Sequence, residues 1–355
     1  MHKYKIERRP YVSGWTELLA IFSALVTSLI VCAIIIKTTS DAYVTTAFIS
    51  LFKGAFGNKK AIMDTLVQAT PLIFTGLATV VAFRGRIWNI GGEGQFYAGA
   101  MMAAWISMNL GSLPQVILVP TIIIGSMIGG ATWAAIAGYL KAQFGSNEII
   151  VTVMMNYLIL FLLSYLLLGP WQAPDSQYLQ TILFSKNTYL PAISGSHLDA
   201  GFFLGLIAAV LIYVLLWRTS LGYEIRSIGV NPVAAQYKGL DIKKTIIIIM
   251  IISGALAGLG GGAILSGVHH RLRLDISPGY GFTGILVAMM ARLNPFGVIL
   301  AAIFLGAIDN GSTFMQIETN VPVALIDTYQ GIVLLLLIIS FILVQYRVRR
   351  TEDAG

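Results

Sequence analysis

Charge is scarce in this chain. Lys, Arg, Asp and Glu make up 11% of its 355 residues, where a soluble globular protein carries about 25%. Cysteine is scarcer still. Cys32 is the single one, which excludes an internal disulfide framework and any multi-cysteine metal site. No stretch fits the phosphate-cradling G-x-x-x-x-G-K-[ST] loop, the H-E-x-x-H zinc pattern or the G-x-S-x-G nucleophile elbow. Catalytic and metal-binding residues are therefore both expected to be none. A literal G-x-G-x-x-G at Gly279, Gly281 and Gly284 follows no strand and reads as chance. His269 and His270 stand beside Arg271 and Arg273, which would repel a cation, so they read as a solvated loop. The net charge of +7 has no basic patch with interleaved aromatics behind it, and no nucleic acid is expected as a partner.

Apolar residues are abundant, at 57%, and they fall in long runs. About 20 apolar residues span the hydrocarbon core as a helix, because every backbone group is then satisfied within the segment. The reading is all-α: a polytopic transmembrane helical bundle, one transmembrane domain over 1–355, in contact with membrane lipid. Ten spans are placed at about 17–36, 63–83, 88–108, 115–140, 148–168, 201–217, 246–265, 281–291, 296–312 and 327–345. The eighth is short and reads as re-entrant or broken. The first is too long for a signal-peptide core and Lys37, Thr38 and Thr39 follow it, so it reads as retained. Even parity puts both termini on one side. That side takes 16 of the 23 Lys and Arg and the other takes 7, so both termini are predicted to be cytoplasmic.

Residues 1–16 then form a cytoplasmic tail, and Ala47–Phe56 an amphipathic piece on the membrane surface. Residues 169–200, broken by Gly169, Pro170, Pro174, Pro191 and Gly195, form a large external loop. Residues 218–245 form a large cytoplasmic one.

Within the spans, Asn89-Ile90-Gly91-Gly92-Glu93-Gly94-Gln95 is the most unusual run. Three glycines in four residues weaken a helix by about 1 kcal/mol each, and Glu93 and Gln95 are costly in hydrocarbon unless paired or wet. Two readings stand: a broken or late-starting helix lining a translocation path, or a tight turn whose glycines let helices pack. Glu148, Thr152 and Asn156 recur at i, i+4 and i+8 on one face of the fifth span, next to Tyr157. They read as a polar stripe beside a path, or as helix–helix hydrogen bonding. The candidate path residues are Asn89, Glu93, Gln95, Thr152, Asn156 and Tyr157. Asp309 and Asn310 carry the same ambiguity. Gly254, Gly258 and Gly262, with Gly125 and Gly129, read as close-packing faces.

In the cytoplasmic loop, Asn231 suits an N-cap, Pro232 the first helical position and Gly239 a C-terminal stop. Val233, Ala234 and Tyr237 make a small apolar face that needs a cytoplasmic partner or a lipid surface.

Taken in order, NIGGEGQ (89–95), SNEIIVTVMMNY (146–157), GVNPVAAQYKGL (229–240), SGALAGLGGG (253–262) and PGYGFTGILVAMMARLNP (278–295) resemble the permeases of bacterial ABC importers for nucleosides, simple sugars and branched-chain amino acids. The form of the first motif and the chain length are most similar to the larger permease of nucleoside systems. The resemblance implies the bacterial plasma (inner) membrane and an importer with a second permease, in a heterodimer. It also implies a cytoplasmic ABC ATPase and an extracytoplasmic substrate-binding protein. No cofactor is then bound by this chain, ATP being used by the partner subunits. Asn231, Pro232, Ala234, Tyr237 and Gly239 would lie in the segment that docks on the ATPase. The implied cargo is a nucleoside or related purine compound, with a simple sugar as the alternative. An ion-coupled secondary transporter would instead need Glu93, Glu148 or Asp309 as a coupling-ion site.

Overall fold

The computed structural model describes residues 3–8, 14–39, 43–174, 176–192, 198–319 and 346–351, with scattered positions between 328 and 344. Among the residues described through 319, twelve α-helices follow in order: α1 (Gly14–Thr39), α2 (Val44–Phe56), α3 (Lys59–Arg84), α4 (Gly92–Leu110), α5 (Gln115–Phe144), α6 (Glu148–Leu168), α7 (Ala200–Arg218), α8 (Ser220–Val230), α9 (Pro232–Tyr237), α10 (Ile242–Ile264), α11 (Tyr280–Met290) and α12 (Pro295–Thr319). The architecture is helical, as read, with one addition. Lys3–Arg8 (β1) and Tyr346–Thr351 (β2) form a two-stranded antiparallel ladder, so the N-terminal tail is partly a strand paired to the C-terminal segment.

Among the described residues six helices are long and apolar enough to cross a membrane: α3, α5, α6, α7, α10 extended through His269, and α12. Phe22–Thr38 within α1, α2 and α11 are shorter apolar helices. The predicted tenth span, 327–345, lies outside the described residues apart from its scattered positions.

The described contacts divide into two compact units. The first comprises Met1–Asn58 and Ile308–Gly355. In it α2 buries Ala47, Ser50, Gly54 and Ala55. At 13 residues it is about 20 Å long, short of a roughly 30 Å hydrocarbon core. Asn310 Nδ2 donates to the carbonyl of Gly54 at 2.9 Å, so that side chain serves packing within this unit.

The second unit, Lys59–Ala307, is organised round α10. The predicted glycine faces are used as close approaches. A Cβ on Gly254 would lie 3.0 Å from the carbonyl carbon of Gly130, and one on Gly258 would lie 2.9 Å from the Cα of Gly130. α10 and α5 thus meet backbone to backbone, where any larger residue would force them apart. A core of Phe96, Ala100, Ile122, Ile159, Leu163 and Ile264 is gathered from α4, α5, α6 and α10.

Asp199 ties the long loop to this core. Its Oδ1 caps α7 by accepting from the Gly201 N–H at 2.6 Å. The Leu190 N–H meanwhile donates to the carbonyl of Ser266 at 3.0 Å. Burial pushes the Asp199 carboxyl up from 3.8 to about 6. The folded state therefore holds its proton more tightly than the unfolded chain does. That stabilisation is full below the unfolded value and is lost as pH rises through the folded one. The difference corresponds to an order of 3 kcal/mol. Asn caps a helix as well as Asp does. We predict that Asp199→Asn raises the thermal midpoint at pH 8 and by far less at pH 4; equal midpoints at pH 8 would refute this account.

Candidate translocation and coupling sites

Residues 87–90 are irregular, Gly91 turns, and α4 begins only at Gly92. The helix is late-starting, and the glycine-rich turn before it is tight as well. Asn89 holds the turn: its Oδ1 accepts from the Gly91 N–H at 3.0 Å. Its Nδ2 donates to Gln95 Oε1 at 3.0 Å and to Ser253 Oγ at 2.9 Å, and Gln95 Nε2 returns a bond to Asn89 Oδ1 at 3.0 Å. Ser253 then donates to the carbonyl of Ala78 at 2.8 Å, tying α10 to α3.

α6 supplies the missing cap. The first turn of a helix leaves N–H groups without partners. Asn156 Oδ1 accepts from the Gly94 N–H at 2.8 Å, and its Nδ2 donates to the carbonyl of Ile90 at 3.0 Å. Thr152 Oγ1 accepts from the Ile90 N–H at 3.3 Å. The polar stripe on α6 is therefore a backbone clamp. Glu148, a turn earlier, pairs with Lys141 at 2.6 Å across the α5–α6 turn.

Glu93 joins a second helix start. α11 has 11 residues, about 16 Å, or half a membrane crossing. Ser277 Oγ accepts from the Gly279 and Tyr280 N–H groups at 3.2 and 3.0 Å. Glu93 Oε2 accepts from the Gly281 N–H at 2.7 Å. The carboxylate thus lies at the positive ends of α4 and α11 together. The stretch leading into α11 runs along α4, with the Tyr97 hydroxyl donating to the carbonyl of Leu274 at 2.7 Å. The predicted eighth span is accordingly a half-length helix. Of the glycines at 279, 281 and 284, Gly279 takes φ +99° at the turn into α11, while Gly281 and Gly284 are a packing surface. A Cβ at Gly281 would lie 2.5 Å from the Glu93 Cα, and one at Gly284 2.6 Å from Thr75 Cβ.

Of the six candidate path residues, Asn89, Glu93, Gln95, Thr152 and Asn156 are buried and brought together in this clamp. Tyr157 is not part of it: it is 56% exposed, on a face of α6 shared with Met154, Phe161 and Tyr165. Sequence reasoning missed Ser253, Ser277 and Gly281 as members. The partners of Ser253 and Gly281 are far along the chain, 188 residues in the case of Gly281 and Glu93.

Asn231 caps α9 through Oδ1, which accepts from the Ala234 N–H at 3.1 Å, and Pro232 holds the first helical position. Gly239 takes φ +81° just past the end. Ala235 anchors the helix inward, while Val233, Ala234 and Tyr237 face outward, Tyr237 89% exposed. His269 and His270, read as a solvated loop, are both half-buried, and the His270 ring stacks on Tyr189 with centroids 3.6 Å apart. Among the described residues no group of three ligating side chains could hold a metal.

A helical chain with six membrane-length spans and backbone breaks clamped inside protein is an integral membrane protein. It belongs to the branched-chain amino acid transport system / permease component family, which matches residues 61–342. It is 32% identical to the glucose ABC transporter permease protein TsgB13 of Haloferax volcanii, over 99% of this chain and 96% of that protein. It is 34% identical to the guanosine ABC transporter permease protein NupP of Bacillus subtilis, over 86% of this chain and 89% of that one. Identity is 31% to the nucleoside ABC transporter permease protein NupB of Lactococcus lactis, over 82% and 83%.

Proposed function

We propose that the chain is the membrane-spanning permease subunit of an ABC importer that carries a nucleoside or related purine compound. The observation that carries this reading is the 34% identity, over most of both chains, to a guanosine permease, with a nucleoside permease beside it. A sugar is the second reading, favoured by the glucose permease relative that aligns over 99% of the chain.

In this reading the subunit binds no cofactor and hydrolyses no ATP. It works with a cytoplasmic ABC ATPase, a second, different permease and an extracytoplasmic binding protein. Ten membrane segments, α11 being a half-length one, leave both termini cytoplasmic. The distribution of Lys and Arg supports this, and so does the pairing of β1 with β2, which sets the two terminal segments side by side. The path runs beside the exposed face of α6, with Tyr157 on its wall. Asn89, Glu93, Gln95, Thr152 and Asn156 fix the wall from behind. α9 docks on the ATPase.

The test is uptake by proteoliposomes holding this chain with its partner permease, ATPase and binding protein. Guanosine uptake that needs ATP is expected. ATP-dependent glucose uptake in place of guanosine uptake selects the second reading, and uptake that proceeds without ATP defeats both.

A further inference from the structure

Two helices of the Lys59–Ala307 unit end in the same way. At the end of α3 the Ile87 N–H donates to the carbonyl of Ala82 and the Arg86 N–H to that of Phe83, both at 3.0 Å, with Arg86 at φ +54°. At the end of α11 the Leu293 N–H donates to Ala288 at 2.9 Å and the Arg292 N–H to Met289 at 3.0 Å, with Arg292 at φ +52°. Both are Schellman ends, whose left-handed position normally goes to glycine. The end of α11 is the more strained, because Leu293 follows at φ +57° and is left-handed too. Two such residues in succession persist only where their surroundings over-determine them.

Arg84 supplies that determination. Its Nε and Nη2 donate to the carbonyl of Leu293 at 3.1 and 3.0 Å, and Nη2 also reaches that of Arg292 at 3.4 Å. The guanidinium lies 5.1 Å over the ring of Trp217, which holds the fork in place. The backbone of Arg84 has a second contact. A Cβ on Gly229 would lie 3.1 Å from its carbonyl carbon. Gly229 stands in the last turn of α8, two residues before the α9 cap Asn231. One residue therefore joins the exposed helix α9, by way of α8, to the C-terminal end of α11. The other end of α11 rests on Glu93.

We propose that Arg84 is a positioning residue for transport: the joint through which movement of 229–240 displaces α11 along its axis and shifts Gly281 on Glu93. The proposal rests on the reading of α9 as the ATPase-docking segment. The linkage has little slack. Gly229 has no side chain to deform, and the planar fork fixes two carbonyls at once, which a lysine ammonium would not do.

The test uses the reconstituted transporter. Arg84→Gln removes charged-donor hydrogen bonds, and about tenfold fewer molecules should be imported per ATP hydrolysed. ATPase retention and basal hydrolysis should stay unchanged, and Arg84→Lys should not restore the ratio. An unchanged ratio in Arg84→Gln overturns the proposal. A second measurement on the unsubstituted complex stands even if that variant does not fold. ATP trapping should alter amide exchange at 281–293 together with that at 231–240. A response at 231–240 alone rejects the joint and leaves the docking reading intact. No response at either segment, with the ATPase retained on a Tyr237→Glu chain, rejects both.

Discussion

Tyr237→Glu in the assembled transporter is expected to abolish ATP-driven uptake while the chain still inserts and folds. Tyr237 is 89% exposed and lies about 160° round the α9 wheel from Ala235, the residue that anchors the helix inward. Nothing in the fold of the second unit depends on its side chain, so insertion and thermal midpoint should be unaffected. A buried tyrosine anchor in a protein–protein interface contributes about 2 kcal/mol or more. A carboxylate placed in its stead adds an unpaired charge to a desolvated contact. The loss corresponds to at least about thirtyfold in affinity for the ATPase. Tyr237→Phe keeps the ring and should retain most uptake. Co-purification of the ATPase and uptake per unit of inserted chain are the two readouts. Normal values of both in Tyr237→Glu would remove α9 from the docking surface.

α9 was also the most legible element in the sequence. A cap, a proline at the first position and a terminal glycine act within a few residues of one another. Asn231, Pro232 and Gly239 therefore announce the helix locally, and the structure builds it with those residues in those roles. The same holds for the glycine face of α10. What could not be read has a common physical origin. Gly281 and Glu93 meet across 188 residues, and Arg84 reaches Leu293 across 209. Neither contact leaves a trace in local spacing. The left-handed Arg292 and Leu293 run against residue preference, so the chain gives no warning of the turn that ends α11. The polar residues of α6 stood out as costly in a membrane. Sequence alone could not tell whether they faced water or a neighbouring backbone, because helical periodicity fixes the face and leaves the neighbour open.

That distinction yields the second large effect, expected for Asn156→Leu. The amide of Asn156 closes two backbone groups at the α4 break, the Gly94 N–H and the Ile90 carbonyl. A leucine of similar size leaves both buried without partners. Each such group costs about 1–3 kcal/mol, so about 2–6 kcal/mol is expected, near the upper end of what single substitutions do. The thermal midpoint should fall and amide exchange across 87–94 should rise. A substrate-lining role predicts something else. An asparagine that touched cargo would, when replaced, change KM while leaving the break protected. As a clamp, Asn156 should leave the KM of the surviving molecules unchanged and lower their number. Tyr157→Ala, one residue on and outside the clamp, should give the converse: an unaltered midpoint and an altered KM. If Asn156→Leu shifts KM with no loss of stability, the side chain faces the path in the working transporter, and the clamp in this structure is the resting state of a gate.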